Sequence, residues 1–502
     1  MSTIKKLFLG SVTRTLLSIV QMTIGFFMMP FLVNHLGDKW YGVWTVLGST
    51  VAYMYMMDFG FSQAVILYLS RHIATKDHDK ANTVINTSLG IYCGLSLGVL
   101  AVSAIVATFI EAIVGVHNDV SLISMVVMVL GASLAIEFPF NSFSGIVGAY
   151  VRYELLSYSR FFVLITNTVL TVYFIGSGYG ILAMAWIGLF CCVLSNILFF
   201  TISKYCFREL KISPRFFDRS IVRELTNYSF WSFINNVSYL LKFRLNSIII
   251  SIFLGPVAVT HYFVGSRLAD YFRDLLFQAT NLSTPILTRY HVLDQLDELR
   301  EKLRFLTKIN AVLAFFGGGV ILIVGKAFIA KWMGDSYLDA FPILVILVTA
   351  MMVEITIDPA RCTMSAMGQN RFVAVLEMAE GVLNVILSII LIKFYGSTGV
   401  ALGTAIPLIL LKLLIVPAVI CRRIQMAPSL FYRAIAPIVL VTLIYIAVYG
   451  AFAQTYLLTS SYLSIVAVGA AAVPIYAGLV YLLFFNRGEL EMLLKLLPWK
   501  KG

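Results

Sequence analysis

The chain has 502 residues, of which 60% are hydrophobic and only 12% charged, whereas soluble globular chains carry roughly 45 to 50% apolar and about 25% charged residues. That composition excludes a soluble enzyme and predicts an integral membrane protein, in which about fourteen spans of ~21 residues leave only short loops. A formal net charge of +12 raises nucleic acid as a partner only until the basic residues are sorted by membrane side, and that sorting removes it.

In chain order, apolar runs predict spans near residues 7–33, 41–68, 83–109, 120–148, 155–176 and 179–203. A second series lies near 229–253, 257–286, 309–333, 340–366, 371–394 and 397–420, followed by two more near 431–453 and 463–485. Each suffices to cross about 30 Å of hydrocarbon. Barrel strands would be about half this length and would alternate in polarity. The first run lacks a short apolar region followed by a small-residue cleavage site, so it reads as a retained span. Between the inner spans, residues 294–308 place Leu296, Leu299, Leu303 and Leu306 on one face and charges elsewhere, the pattern of an interfacial helix.

With the N-terminus inside, the outer segments hold only Lys39, Lys326, Lys331 and Lys393, and every inner segment carries Lys or Arg. The positive-inside rule then puts both termini in the cytoplasm. None of the six cysteines falls in an outer loop and none forms a CxxC, and the six histidines show no paired ligand spacing. Neither a disulfide framework nor a metal site is expected. A GxxxxGK[ST] loop is absent from the sequence, so ATP-driven pumping would need a separate subunit. No cofactor is expected.

The chain repeats itself. Leu36-Gly37 matches Leu254-Gly255, Tyr53 matches Tyr271, and Ser70-Arg71 matches Thr288-Arg289; Arg152 then falls near Arg371 and Gly176-Ser177 near Gly396-Ser397. A repeat of six spans preserves orientation and relates two halves about an axis along the membrane normal. The expected organisation is an all-α integral membrane protein of about fourteen transmembrane helices, in two pseudo-twofold-related six-helix bundles plus two C-terminal helices. Its parts are a bundle over 1–204, a basic cytoplasmic linker over 205–228, a second bundle over 229–421, and two extra helices with a cytoplasmic tail over 422–502. The basic linker also suits contact with anionic membrane lipid. Paired bundles leave a central cleft, where secondary transporters bind their cargo. A membrane glycosyltransferase or polymerase would carry a sizeable catalytic loop, and the outer connections are short.

Ionisable groups inside spans are costly and mark cavities or pathways. In the seventh span Ser232, Asn235, Asn236, Tyr239, Lys242 and Asn246 share a helical sector, with Lys242 near its middle and Arg244 on the other side. The eighth span carries Arg267, Asp270, Asp274, Gln278 and Asn281 on one face, where Arg267 and an aspartate can instead neutralise each other as a structural pair. Glu137 lies beside Pro139 in the fourth span, and Glu354 and Asp358 lie beside Pro359 in the tenth. A carboxylate at a proline-loosened turn suits H⁺ or Na⁺ coupling, and simple helix-to-helix hydrogen bonding fits the same residues. Glu377, Glu380, Asn384 and Ser388 share a face of the eleventh span, while Arg14, Arg160, Arg273 and Lys412 stand alone. Arg14 and Arg160 lie within snorkelling reach of the inner interface.

The candidate substrate groups are thus Lys242, Arg267, Asn235, Asn236, Tyr239 and Arg14, and the candidate ion-coupling groups Glu137, Glu354, Asp358, Asp58, Asp270 and Asp274. Cations suit a phosphate or pyrophosphate, and amides and tyrosines suit sugars. A lipid-linked glycan fits that combination, and an anionic drug satisfies the same electrostatics.

A short basic segment, then a first span ending Phe31-Leu-Val-Asn-His-Leu-Gly37, then Tyr41-Gly-Val-Trp44 and Asp58-Phe-Gly60, resembles the start of bacterial polysaccharide and O-antigen repeat-unit flippases. Those belong to the multidrug/oligosaccharidyl-lipid/polysaccharide exporter superfamily. The resemblance implies a V-shaped pair of bundles and alternating access in the bacterial inner membrane. The implied cargo is an undecaprenyl-pyrophosphate-linked oligosaccharide moved from the inner to the outer leaflet, with polysaccharide assembly proteins as partners. It implies no catalytic motif and no enzyme activity. Spans thirteen and fourteen would match those that help accommodate the lipid tail in related lipid II flippases. A cation-coupled drug exporter of the same superfamily is the alternative, and a more acidic cleft is expected for it.

Overall fold

The computed structural model describes residues 3–280, 283–457 and 461–483, with side chains described for all of these except 3–8, 226–232, 235, 279–280, 456–457 and 481–483. The side chain of Asn235 and the whole of Asn281, both read from the sequence as parts of polar stripes, lie outside the described residues. What is described is helical throughout. Large apolar side chains such as Leu97, Phe109 and Tyr173 remain mostly exposed, as they do on a surface solvated by lipid rather than water.

Helices α1 (Thr3–Tyr55), α2 (Phe61–Ala74), α3 (His78–Val114), α4 (Val120–Ala149), α5 (Tyr153–Gly176) and α6 (Ile181–Cys206) form the first six crossings. Helix α1 contains two of them, because Gly37 breaks it with φ 78° and ψ 163°, a conformation that only glycine adopts cheaply. The second crossing continues from α1 through a 3-10 turn into α2. Helices α7 (Arg219–Phe243) and α8 (Leu245–Leu254) make the seventh crossing, and α9 (Pro256–Thr280) and α10 (Ser283–Val292) the eighth. Four more follow in α11 (Leu296–Trp332), α12 (Ala340–Ala366), α13 (Asn370–Leu410), broken at Gly396, and α14 (Val416–Arg423), which continues the second part of α13 through a π-helical turn at Leu411–Ile415. Helices α15 (Pro428–Phe452) and α16 (Tyr462–Leu483) complete fourteen crossings. The protein is a multi-pass membrane protein. The amphipathic stretch read as an interfacial helix over 294–308 is no separate element: from Leu296 it forms the first turns of α11, since no glycine or proline interrupts the helix there.

The duplication is visible in the backbone. Left-handed or extended positive-φ residues recur at matching positions: Gly37 with Gly255, Lys76 with Asp294, Gly115 with Gly334, and Val151 with Gly368. Gly255, with φ 82° and ψ 172°, repeats the conformation of Gly37. At Phe59-Gly60 the two halves differ. Phe59 and Gly60 are both left-handed, whereas the residues matching them, Phe277 and Gln278, continue inside α9.

The chain divides into two compact units, Met1–Thr260 and His261–Gly502. In the first, α3 packs on α4, α4 on α6, and α1 on α5, with α7 against α2 and α3 and α8 against α1 and α3. Polar contacts fasten the seventh crossing and the start of the eighth: Tyr53 Oη donates to the Leu240 carbonyl at 3.0 Å, Ser251 Oγ to the Val114 carbonyl at 3.1 Å, and Thr260 Oγ1 of α9 to the Asp38 carbonyl at 2.7 Å. A Cβ on Gly42 would stand 1.9 Å from the Pro256 carbonyl oxygen, so glycine is what lets α1 approach the start of α9. In the second unit α12 packs between α11 and α13, and α15 and α16 lie against α11.

Candidate functional site

A cavity of ≈ 580 Å³ opens within the first unit, walled by the second, fourth, sixth and seventh crossings. Its polar lining comprises Asp58, Glu137, Ser133, Cys192, Tyr55, Asn236, Tyr239 and Arg244. The break at Phe59-Gly60 makes this wall. It ends α1 in a 3-10 turn at Met56–Asp58 and restarts the chain as α2, which places the Asp58 carboxylate at a helix N-terminus, where the helix dipole favours negative charge. Asp58 is buried. Tyr92 Oη and Ser62 Oγ each donate to its Oδ1 at 2.8 Å, and the two hydroxyls lie 3.0 Å apart. Phe59, held left-handed, packs on Phe233 of α7 with ring centroids 5.2 Å apart and the planes tilted by 45°.

Glu137 lines the same cavity, and the Arg160 guanidinium of α5 acts on it electrostatically. Two residues beyond it, Pro139 offers no N–H to the Ala135 carbonyl. That carbonyl is not left free for an ion: Ser96 Oγ of α3 donates to it at 2.7 Å. The second unit repeats the device. Pro359 strips the Ile355 carbonyl of its helical donor, and Asn310 Nδ2 of α11 supplies one at 3.0 Å. At both proline turns a neighbouring helix thus supplies the donor that the proline removes.

On α7, Asn236 and Tyr239 line the cavity as the periodicity predicts, but Lys242 does not. Lys242 is 3% exposed, whereas Arg244 projects into the cavity. Arg244 stands at the cap between α7 and α8, just beyond the last turn of α7, which carries Lys242. Arg14, on the exposed face of α1, lies over the Tyr153 ring at 5.1 Å and away from the cavity wall.

In the second unit the predicted groups separate into ion pairs. Arg267 stacks over Tyr271 at 4.6 Å, and it is Arg273 that approaches Asp270 at 3.5 Å and Asp274 at 3.4 Å. The structural pairing expected on this helix thus exists with a different arginine. Asp358 is buried and accepts both Nε and Nη2 of Arg361 at 2.8 and 2.7 Å, with Cys362 Sγ at 3.4 Å. Lys412, on the π-helical turn, is buried and pairs with Glu377 and, at 3.7 Å, with Glu380; Glu354 contributes to the field at its ammonium. The sequence showed these as one lysine and one acidic helix face. The signal that joins them is charge compensation, since a mid-span lysine and a mid-span carboxylate pair must each find an opposite charge.

Residues 10–291 match the family model described as polysaccharide biosynthesis protein. The chain belongs to that family. Over 501 residues, 99% of this polysaccharide biosynthesis family member and 98% of the relative, it is 23% identical to the uncharacterized membrane protein EpsK of Bacillus subtilis (strain 168). Its fold is shared by solved membrane transporters. It is similar to the lipid II flippase MurJ in an inward closed conformation, with a TM-score of 0.73 at 15% identity over 93% of this chain and 98% of that one. It is also similar to a multidrug resistance MATE family transporter in an inward-facing conformation, with a TM-score of 0.70 at 15% identity over 83% and 98%. The polysaccharide biosynthesis family member thus shares its fold with a solved flippase and a solved drug transporter.

Proposed function

We propose that the protein flips an undecaprenyl-pyrophosphate-linked oligosaccharide from the cytoplasmic to the outer leaflet of a bacterial inner membrane by alternating access, without forming or breaking covalent bonds. The observation that carries this reading is the mixed wall of the first-unit cavity: Tyr55, Tyr239 and Asn236 beside Arg244, with Asp58 and Glu137 opposite in charge. Aromatic faces and amides suit sugar rings and hydroxyls, and a guanidinium suits a pyrophosphate bidentately. The two carboxylates supply the groups through which H⁺ or Na⁺ would couple to the cycle. Family membership supports a role in polysaccharide assembly, and the fold shared with a lipid II flippase supports a lipid-linked cargo.

A second reading, export of a cationic drug, is favoured by the same two carboxylates and by the fold shared with a multidrug transporter. Purified protein in liposomes carrying a fluorescent lipid-linked oligosaccharide tests both. Appearance of the label at an external quencher, faster with an imposed proton or sodium gradient, is the expected result. Efflux of a small cationic dye without lipid transfer would transfer the function to drug export, and incorporation of labelled sugar into polymer would make the protein an enzyme.

A further inference from the structure

The segment between α6 and α7 is built as a strap. Asn82 of α3 donates through Nδ2 to the Glu209 carbonyl at 3.0 Å and accepts through Oδ1 from the Lys211 amide at 2.9 Å. One turn further, Asn86 donates to the Lys211 carbonyl at 2.7 Å and accepts from the Ser213 amide at 2.8 Å. Thr87 Oγ1 then accepts from the Asp218 amide at 3.0 Å. Four helical residues rise about 6 Å and two extended residues about 6.6 Å, so two asparagines one turn apart match the peptide repeat of an extended chain laid along the helix. The strap climbs α3 from Asn82 to Gly90, about 12 Å of helix rise, and ends with Phe217 packed on Gly90, where a Cβ would meet the ring at 3.1 Å.

Its backbone is fixed inward and Phe207 is buried, while most of its other side chains face out. Arg208, Lys211 and Arg215 on it, with Lys204 of α6 and Arg219 of α7 at its ends, are all exposed, and Ile212 and Phe217, with Tyr205 of α6, are 52%, 46% and 65% exposed. Basic groups interleaved with uncovered apolar ones are the composition of a surface that sits in a headgroup layer, with the apolar side chains entering the acyl boundary and the cations at phosphate level. The climb of the strap, from Asn82 to Gly90, runs along the start of the apolar stretch near residues 83–109 that crosses the membrane.

We propose that this asparagine-laddered strap is a docking surface for anionic phospholipid headgroups, with the ladder holding the cations and the apolar side chains in one fixed array. The proposal concerns the lipid surroundings and stands apart from the identity of the transported cargo. The full-length protein in vesicles of phosphatidylcholine and phosphatidylglycerol tests it, with Ile212→Trp as reporter and brominated forms of either lipid as quenchers, the signal being the excess over the parent protein. Phosphatidylglycerol is expected to be preferred at the reporter by at least about five-fold, the effect of one cation near an anionic surface. The preference should fall to near unity in Arg208→Gln/Lys211→Gln/Arg215→Gln/Arg219→Gln. It should also shrink in the reporter protein itself as ionic strength rises from about 0.01 M to about 1 M, a reading that needs no charge variant to fold. Asn82→Ala/Asn86→Ala keeps every charge and is expected to weaken the preference by freeing the strap. Equal quenching by both lipids, or a preference that survives charge removal or high salt, overturns the docking surface. An unchanged preference in the asparagine variant overturns the fixed array.

Discussion

Tyr92 on α3 donates its phenolic hydrogen to Asp58 Oδ1 at 2.8 Å, beside the helix break at Phe59-Gly60, whose matching residues Phe277 and Gln278 lie inside α9. The contact joins α3 to the restart of the second crossing and holds the carboxylate at the cavity edge. Tyr92→Phe keeps the buried ring and removes one donor to a charged group, a loss of about 1.5 to 3 kcal/mol in stability. Asp58→Asn keeps the shape and the acceptor oxygen and removes the ionisation. Its expected phenotype in the liposome assay is lipid transfer that no longer responds to an imposed gradient. A gradient response equal to the parent's would remove Asp58 from coupling.

Arg244 and Lys242 separate substrate contact from burial. Arg244 reaches the cavity, whereas Lys242 lies buried outside its wall. Arg244→Ala is expected to lower affinity for a pyrophosphate-bearing lipid about ten-fold or more, as loss of a charge-assisted hydrogen bond does, without loss of thermal stability. Lys242→Ala is expected to act mainly on stability. Binding of the lipid-linked substrate and thermal unfolding, measured on both variants, check the pair; a larger affinity loss for Lys242→Ala would reassign the contact.

Span number and duplication were legible in the sequence because both are written in features that the membrane enforces: runs of apolar residues long enough to cross it, and glycines such as Gly37 and Gly255 whose backbone shape no other residue adopts cheaply. Asn236 and Tyr239 were legible for the same reason, as helical periodicity holds within α7. Arg244 was misplaced because it stands at the cap where α7 ends and α8 begins, and no glycine or proline marks that end. The hydroxyl cradle of Asp58 was invisible since Ser62 and Tyr92 are ordinary residues until α2 and α3 pack. Likewise, Ser96 and Asn310 carry no mark of their task; only the tertiary fold brings them to carbonyls that Pro139 and Pro359 have orphaned.

That substitution of a side-chain donor for a missing backbone one makes a reciprocal prediction. Asn310→Ala leaves the Ile355 carbonyl unsatisfied within the membrane, a cost of about 1 to 3 kcal/mol. Pro359→Ala restores an N–H in the right place. The double variant Asn310→Ala/Pro359→Ala is therefore expected to recover most of the stability that the single asparagine variant loses. Thermal unfolding in detergent of the two single variants and the double variant measures the coupling, and strictly additive effects would show that the asparagine is not replacing the missing amide.

Lys412 offers the sharpest test of charge compensation in the second unit. It is buried on a π-helical turn beside Glu377 and Glu380, and Glu354 Oε2 is buried without a hydrogen-bond partner among the described residues. Lys412→Met keeps length and apolar volume while leaving the carboxylates without their cation, and removing one partner of a buried pair typically costs about 3 to 5 kcal/mol. The variant is expected to unfold at lower temperature than the parent. Lys412→Met/Glu377→Gln/Glu380→Gln removes the uncompensated charge and is expected to regain most of that loss, since exchanging a whole buried ion cluster for neutral groups is often nearly neutral. If Lys412→Met alone is as stable as the parent, the carboxylates must already be neutral or hydrated in the folded protein, and the lysine serves some purpose other than holding α13 and its π-helical extension together.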